Sequence, residues 1–199
     1  MPKNTFYNLP GKKRWKLDQA LYKEFSFYSL NDSSIARIIA DAEIPRGSFY
    51  QYFSDLEDAY YYTLEQQMRE VANLFTGLLE KHDGVIYSAT TEFYAILLKE
   101  SKHFPIFTHA LLNMNGKIHQ LISHFFTIDN EKAYQQQLEL AVNPIENKDY
   151  FFHLLRVISS VMVHNFIETH SQMIPLKAAI YNYEQDLKLI KTDQHIATF

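Results

Sequence analysis

No cysteine occurs among the 199 residues, which excludes disulfides and cysteine-ligated zinc at the outset. The start, MPKNTFYNLPGKKRW, also lacks the apolar core of a secretory signal, and the two absences together favour a reducing, cytoplasmic location. Glycine and proline are scarce, five and six residues, and no sustained period-two alternation of apolar residues is found, so a turn-rich β architecture is not expected. Repeats of about 20 to 50 residues and low-complexity tracts are missing as well. The most apolar late stretch, Tyr150 to Ile167, is interrupted by His153, Arg156, His164 and Asn165. It falls short of the roughly 20 apolar residues of a membrane span and reads as a buried helix. Gly-rich phosphate loops, a nucleophile elbow and paired-carboxylate constellations are all lacking, so neither an enzyme nor a cofactor is expected.

What is present is a chain 47% hydrophobic and 21% charged, enough to bury one large core or two smaller ones. The formal net charge of -4 is unevenly distributed. Residues 1–53 hold eight Lys/Arg against five Asp/Glu, a balance of +3, while the remainder holds eleven against eighteen, a balance of -7. A basic N-terminal segment ahead of an acidic remainder is compatible with approach to phosphates, although +3 is a modest electrostatic footprint. All nine histidines lie after residue 81, with His153 and His164 spaced i, i+11 on roughly one helical face. No His-x-x-x-His pair has a nearby carboxylate at zinc spacing, so no metal is expected.

The periodicities are helical throughout. Leu17, Leu21, Phe25 and Tyr28 share one face of a first helix beginning near Gly11 and Lys12. After the break at Ser29 to Ser34, Ser33 or Ser34 caps a short second helix carrying Ile35, Ile38, Ile39 and Ala42. Glu43-Ile44-Pro45 then opens a third, because proline disfavours helical geometry in the residue before it and suits a first helical turn. That third helix places Phe49 and Phe53 at i, i+4, and Ser54-Asp55 caps a long helix from about Leu56 to Leu79. Breaks near His82 to Gly84, His103 to Pro105, Asn113 to Gly116, Thr127 to Asn130, Asn143 to Lys148 and Met173 to Pro175 divide the rest. The last two helices, about 149–171 and 176–191, are long and apolar.

Two short helices joined by a tight turn, Ser34 to Phe53, satisfy the helix-turn-helix pattern. If Phe49 and Phe53 face inward, Arg46, Ser48, Gln51 and Tyr52 point out with Tyr50 at the edge. Arginine pairs bidentately with guanine, glutamine with adenine, and hydroxyls reach phosphate or base. Gly47 removes a side chain where backbone N–H groups can meet a phosphate. By periodicity alone, a helical hairpin of this kind more commonly serves only to pack.

The residues themselves go further. The run Ile35-Ala-Arg-Ile-Ile-Ala-Asp-Ala-Glu-Ile-Pro-Arg-Gly-Ser-Phe-Tyr-Gln-Tyr-Phe53 resembles the signature of the TetR/AcrR family of transcriptional regulators. The resemblance runs without a gap from about Lys13 to Ala59, with Ala20-Leu21 and Phe25 in the family's Ala/Leu and Phe places. It implies an all-α fold with a three-helix N-terminal DNA-binding domain, residues 1–54, and a larger helical effector-binding and dimerisation domain, residues 55–199. It also implies DNA contacts from Ser34, Arg37, Arg46, Gly47, Ser48, Tyr50, Gln51 and Tyr52, with backbone attraction from Lys12, Lys13 and Arg14. Three departures stand out: Glu43 replaces the usual turn glycine, Pro45 a frequent serine cap, and Leu56 a common phosphate-contacting lysine.

The expected partners are a palindromic double-stranded DNA operator, a second copy of the chain held through helices 149–171 and 176–191, and a small apolar or aromatic effector, with no membrane. In that reading Phe75, Phe107, Met114, Phe125, Leu155 and Met162 line the effector pocket, although aromatic stripes at helical spacing are more commonly core. The default mode is repression relieved by ligand. The competing expectation is a helical protein-interaction module that keeps a degraded helix-turn-helix and binds no DNA.

Overall fold

The computed structural model describes residues 1–125 and 148–192, with the side chains of residues 123–125, 148 and 192 outside that description. Regular structure among the described residues is helical. Contacts divide the chain into two units, Met1–Arg69 with Phe104–Ala110, and Glu70–His103 with Leu111–Phe199.

The first unit opens with a single-turn helix, α1 (Asn4–Tyr7), and continues with α2 (Gly11–Phe27), α3 (Ile35–Ala42), α4 (Arg46–Tyr52) and the beginning of α5 (Leu56–Lys81). Pro10 precedes α2 with φ near -53°, a dihedral its ring imposes and one that leads directly into a helix. Leu17, Leu21 and Phe25 are buried as one stripe, at the expected spacing. Tyr28 departs from that stripe: α2 ends at Phe27, Tyr28 is extended at φ -126°, and its ring is 40% exposed. Between α2 and α3 the chain makes a 3-10 turn, Leu30–Asp32. The start of α5 is fixed reciprocally, as in a capping box. Asp55 accepts from the Asp58 N–H at 2.7 Å, and the Asp58 carboxylate accepts from the Ser54 N–H at 3.0 Å.

The core of this unit is aromatic. Phe6, Phe25, Phe49 and Phe53 are fully buried. The Phe6 ring lies 5.1 Å from Phe53 and 5.0 Å from Tyr62, the latter edge to face, an arrangement ring quadrupoles favour. The α1 helix was not legible in the sequence, since four residues fall below any periodicity window. Its place follows from Phe6, whose burial draws the segment onto α4 and α5.

The second unit contains the remainder of α5, then α6 (Ile86–Lys99), the end of α7 (Pro105–Leu112), α8 (Gly116–Phe125), α9 (Lys148–Ser171) and α10 (Leu176–Thr192). Asp83 and Gly84, both at positive φ, terminate α5. Glu92 of α6 then accepts from Lys81 at 2.6 Å and meets His82 Nε2 at 2.7 Å. Tyr94 of α6 and Tyr183 of α10 are fully buried with ring centroids 4.5 Å apart. The Tyr94 hydroxyl reaches Thr169 Oγ1 of α9 at 3.1 Å, and Asn165 Nδ2 donates to Asp186 at 2.7 Å. Polar contacts thus fix the mutual register of α6, α9 and α10, because a buried polar group is costly unless satisfied. By length and composition α9 is apolar enough to cross a membrane. It nevertheless turns Phe152, Leu155, Ile158, Met162 and Phe166 into the chain's own core, as a core helix does.

The position of Phe6 generates a first test. Phe6→Ala empties an aromatic site at full burial and is expected to lower stability by about 3–5 kcal/mol, measured by urea unfolding; a loss under about 1 kcal/mol would show that the α1 segment is not held by this ring.

Candidate nucleic-acid interface

The α3 helix begins at Ser34, whose Oγ accepts from the Ala36 N–H at 3.2 Å as an N-cap. Its other end closes with a left-handed residue. Glu43 stands at φ 53°, ψ 45°, its N–H donating to Ala40 O at 3.2 Å while the Ile44 N–H reaches Ile39 O at 3.0 Å. This is the Schellman geometry usually supplied by glycine. A residue with a Cβ is strained there, so the position where glycine is usual is indeed one that demands glycine's conformation. Pro45 follows in extended geometry and leads into α4.

Phe49 and Phe53 are both at 0% exposure with rings 5.5 Å apart, and they decide which way α4 faces. Arg46, Gly47, Tyr50 and Gln51 are exposed, and Ser48 and Tyr52 half-buried. A Cβ added at Gly47 would meet nothing within 4 Å, so the start of α4 presents bare, accessible backbone. The Tyr50 ring rests edge-on against Phe49 at 5.6 Å. Three carbonyls at the end of α4 are occupied by the N-terminal segment. Lys3 Nζ donates to Tyr50 O at 2.8 Å, the Thr5 hydroxyl to Gln51 O, and the Lys3 N–H to Tyr52 O at 2.8 Å. These are orphan carbonyls of a helix C-terminus. Lys3 and Thr5 therefore hold α4 without entering the sequence-based site, and no pattern in the sequence pointed to them.

Electrostatics around the hairpin are set by ion pairs. Glu24, only 4% exposed at its side chain, accepts from Arg37 Nε and Nη2 at 2.6 to 3.0 Å and from the Ser34 N–H at 2.6 Å. Arg37 also donates to Asp32 O at 2.7 Å and lies 3.9 Å over the Tyr28 ring. Its hydrogen bond with Glu24 raises its pKa further. Much of the Arg37 donor set thus faces its own domain. Lys23 pairs with Asp41 at 2.7 Å and Arg14 with Asp18 at 3.8 Å. Lys16 pairs with Glu43, and that hydrogen bond holds the Glu43 carboxyl below its ordinary range. Burial pushes Asp18 up, and burial likewise pushes the Tyr62 phenol, which donates to Asp18 at 3.1 Å, up to about 12. Among the described residues, Lys12, Lys13 and Arg46 are the cations of α2 to α4 without an acidic partner.

In the C-terminal region Phe75, Phe107, Leu155 and Met162 are buried and Met114 is half-buried. Phe75 packs edge to face on Phe93 at 5.4 Å, as core rings do. The side chain of Phe125 lies outside the described residues, as do Phe126 and the breaks expected at Thr127 to Asn130 and Asn143 to Asn147. His153 contacts Arg156 at 2.9 Å and His164 sits 3.9 Å from Glu168 on the surface. Among the described residues no group of three or more His, Asp or Glu is placed to hold a metal ion.

A family model described as "Tetracyclin repressor-like, C-terminal domain" matches residues 86–192, more than half of the sequence. No curated protein matches. Among solved structures, a TetR-like transcriptional regulator from Rhodococcus sp. RHA1 superposes with a TM-score of 0.50 at 14% identity, covering 88% of this chain and 94% of that one. That likeness concerns the fold. A TetR family transcriptional regulator from Chloroflexus aurantiacus J-10-FL covers 97% of this chain and 98% of its own at 20% identity, with a TM-score of 0.39. That superposition is too loose to bear on the fold.

The strained turn generates the second test. In Glu43→Gly the left-handed penalty on a Cβ disappears and outweighs the extra chain entropy glycine carries, while Lys16 is released from its acidic partner. A raised thermal midpoint is expected in calorimetry; a lowered one would show that the Lys16 pair matters more than the backbone strain.

Proposed function

The chain belongs to the TetR family of transcriptional regulators, and on that premise we propose that it binds a palindromic operator as a homodimer, repressing transcription until a small apolar or aromatic effector releases it. As a transcription regulator it is not an enzyme. The observation that supports the DNA-binding reading most directly is the orientation of α4: Phe49 and Phe53 are withdrawn from solvent, while Arg46, Tyr50 and Gln51 are exposed. A helix held by one face can enter a major groove with the other. In this reading Arg46 pairs with guanine and Gln51 with adenine. Tyr50, Tyr52 and Ser48 reach phosphate or base, and bare Gly47 brings backbone N–H groups to a phosphate. Ser34 and Arg37 serve at the start of α3, with Arg37 keeping Nη1 for a phosphate while Glu24 holds Nε and Nη2.

Dimer formation is supported by what a single chain leaves open. Beside its buried stripe, α9 carries Leu154, Val157 and Val161, half-buried at i, i+3 and i+7. Along α10, Tyr181 and Leu189 are 60% and 71% exposed. A second copy covering these residues produces a four-helix arrangement with one interface repeated by two-fold symmetry. Such a dimer presents its two α4 helices to half-sites about 34–36 Å apart or a multiple of that. The effector is proposed to sit among apolar residues of the second unit, Phe75, Met114, Leu155 and Met162. Its differential affinity for the conformation that does not bind DNA sets the limit of release.

Selection of bound duplexes from a random pool is expected to return an approximately palindromic sequence. Against that duplex Arg46→Ala should weaken binding by about 1–3 kcal/mol and relax preference at one base pair; retention no better than random duplex at low salt would reject the reading in favour of a protein-interaction module. Separately, Leu189→Glu, at a position 71% exposed, is expected to shift the protein toward monomer in sedimentation, and an unchanged mass would reject an interface at this face of α10.

A further inference from the structure

Beside α4 lies a cleft of about 370 Å³, open to solvent, within the size range of small-molecule sites. Its floor is apolar, formed by Leu17 and Ala42, both buried, with Ile44 beside them. Its rim carries Lys12, Lys13 and Lys16 from the first turns of α2, and its far wall Ser48 and Tyr52 of α4. The opening exists because the Glu43 turn and Pro45 carry the chain away from α2 before α4 begins, and because Ala42 and Ser48 are too small to fill the gap.

Charge gives the cleft a preference. Three lysines and one acidic residue, Glu43, line it. Lys16 neutralises Glu43 directly, leaving Lys12 and Lys13 without an acidic partner among the described residues. Lys12 and Lys13 are adjacent in the first turn of α2, so an incoming anion finds two unpaired ammonium groups at one edge of the cleft. An apolar floor under a cationic rim matches a flat apolar body that ends in a carboxylate.

We propose that this cleft binds a small amphipathic anion, an aromatic or short acyl carboxylate, at a site separate from the effector residues of the C-terminal region. The carboxylate is held by Lys12 and Lys13, and the apolar body lies over Leu17, Ala42 and Ile44. Ser48 and Tyr52 belong both to the cleft wall and to the proposed DNA-reading helix, so an occupied cleft sets a negative charge beside that helix and removes two lysines from the phosphates. Competition with DNA therefore rests on the DNA-binding reading, whereas binding of the anion does not.

The probe is 2-naphthoate, with uncharged 2-naphthamide as its control, titrated calorimetrically into the full chain without DNA. Naphthoate is expected to bind and the amide to bind distinctly more weakly. Lys12→Gln with Lys13→Gln, both exposed positions, should weaken naphthoate roughly five- to tenfold, while Glu43→Gln should strengthen it. No naphthoate binding, or binding that neither variant alters, overturns the proposal and places the ligand elsewhere. A final arm adds the selected duplex. Displacement by naphthoate from wild type but not from the double lysine variant supports competition, and co-binding of both overturns it. Duplex binding without naphthoate binding removes the cleft and leaves the regulator reading intact; naphthoate binding with no duplex binding does the reverse.

Discussion

The burial of two rings, Phe49 and Phe53, is the constraint on which the helix-turn-helix depends. Each is removed from solvent completely, and full burial of such a side chain contributes about 1.5–3 kcal/mol. Because they are four residues apart, their burial fixes the rotation of α4 about its own axis as well as its attachment. Everything exposed on α4 is exposed by that choice. Phe6 and Tyr62 complete the enclosure around Phe53, so the start of the chain and the long α5 helix both contribute to holding a seven-residue helix too short to be stable alone.

Polar contacts complement this aromatic anchor by settling the backbone ends. Glu24 ties the first N–H of the α3 region and the Arg37 guanidinium to α2, and Lys3 with Thr5 satisfies the carbonyls at the end of α4. The arrangement has an electrostatic consequence. Several of the cations that make the N-terminal segment basic are engaged with carboxylates of the same domain, which concentrates the available positive charge at Lys12, Lys13 and Arg46. Net charge alone is a poor guide to such a surface, since its sign matters less than which side chains are already paired.

The C-terminal unit uses the same logic with different residues. The buried pair Tyr94 and Tyr183, with Thr169, Asn165 and Asp186, specifies one register for α6, α9 and α10. Burial pushes the Tyr183 phenol upward and keeps it neutral. The apolar residues left half-covered on α9, Leu154, Val157 and Val161, lie beside this fixed core, on a helix whose placement against α6 and α10 is already determined.

Helix positions were largely readable from the order of residues. The starts at Gly11 and Leu56 and the breaks at His82 to Gly84 and Met173 to Pro175 were marked by proline, by caps and by the loss of periodicity, all local effects. The exposure of Arg46 and Gln51 on α4 was readable because Phe49 and Phe53 repeat at helical spacing, whereas Ser48 and Tyr52, expected to point out, are half-buried and Tyr50, expected at the edge, is exposed; the family resemblance rested on that same continuous stretch. Long-range pairings were not readable. That Glu24 would hold Arg37, that Glu43 would meet Lys16, that Phe6 would fill a gap beside Phe53, and that a cleft would open beneath Lys12 and Lys13 each depend on residues distant in the chain. Local sequence determines helices because their hydrogen bonds close within four residues; only the tertiary structure decides which charges are consumed and which cavities remain, because those follow from how separate helices come together.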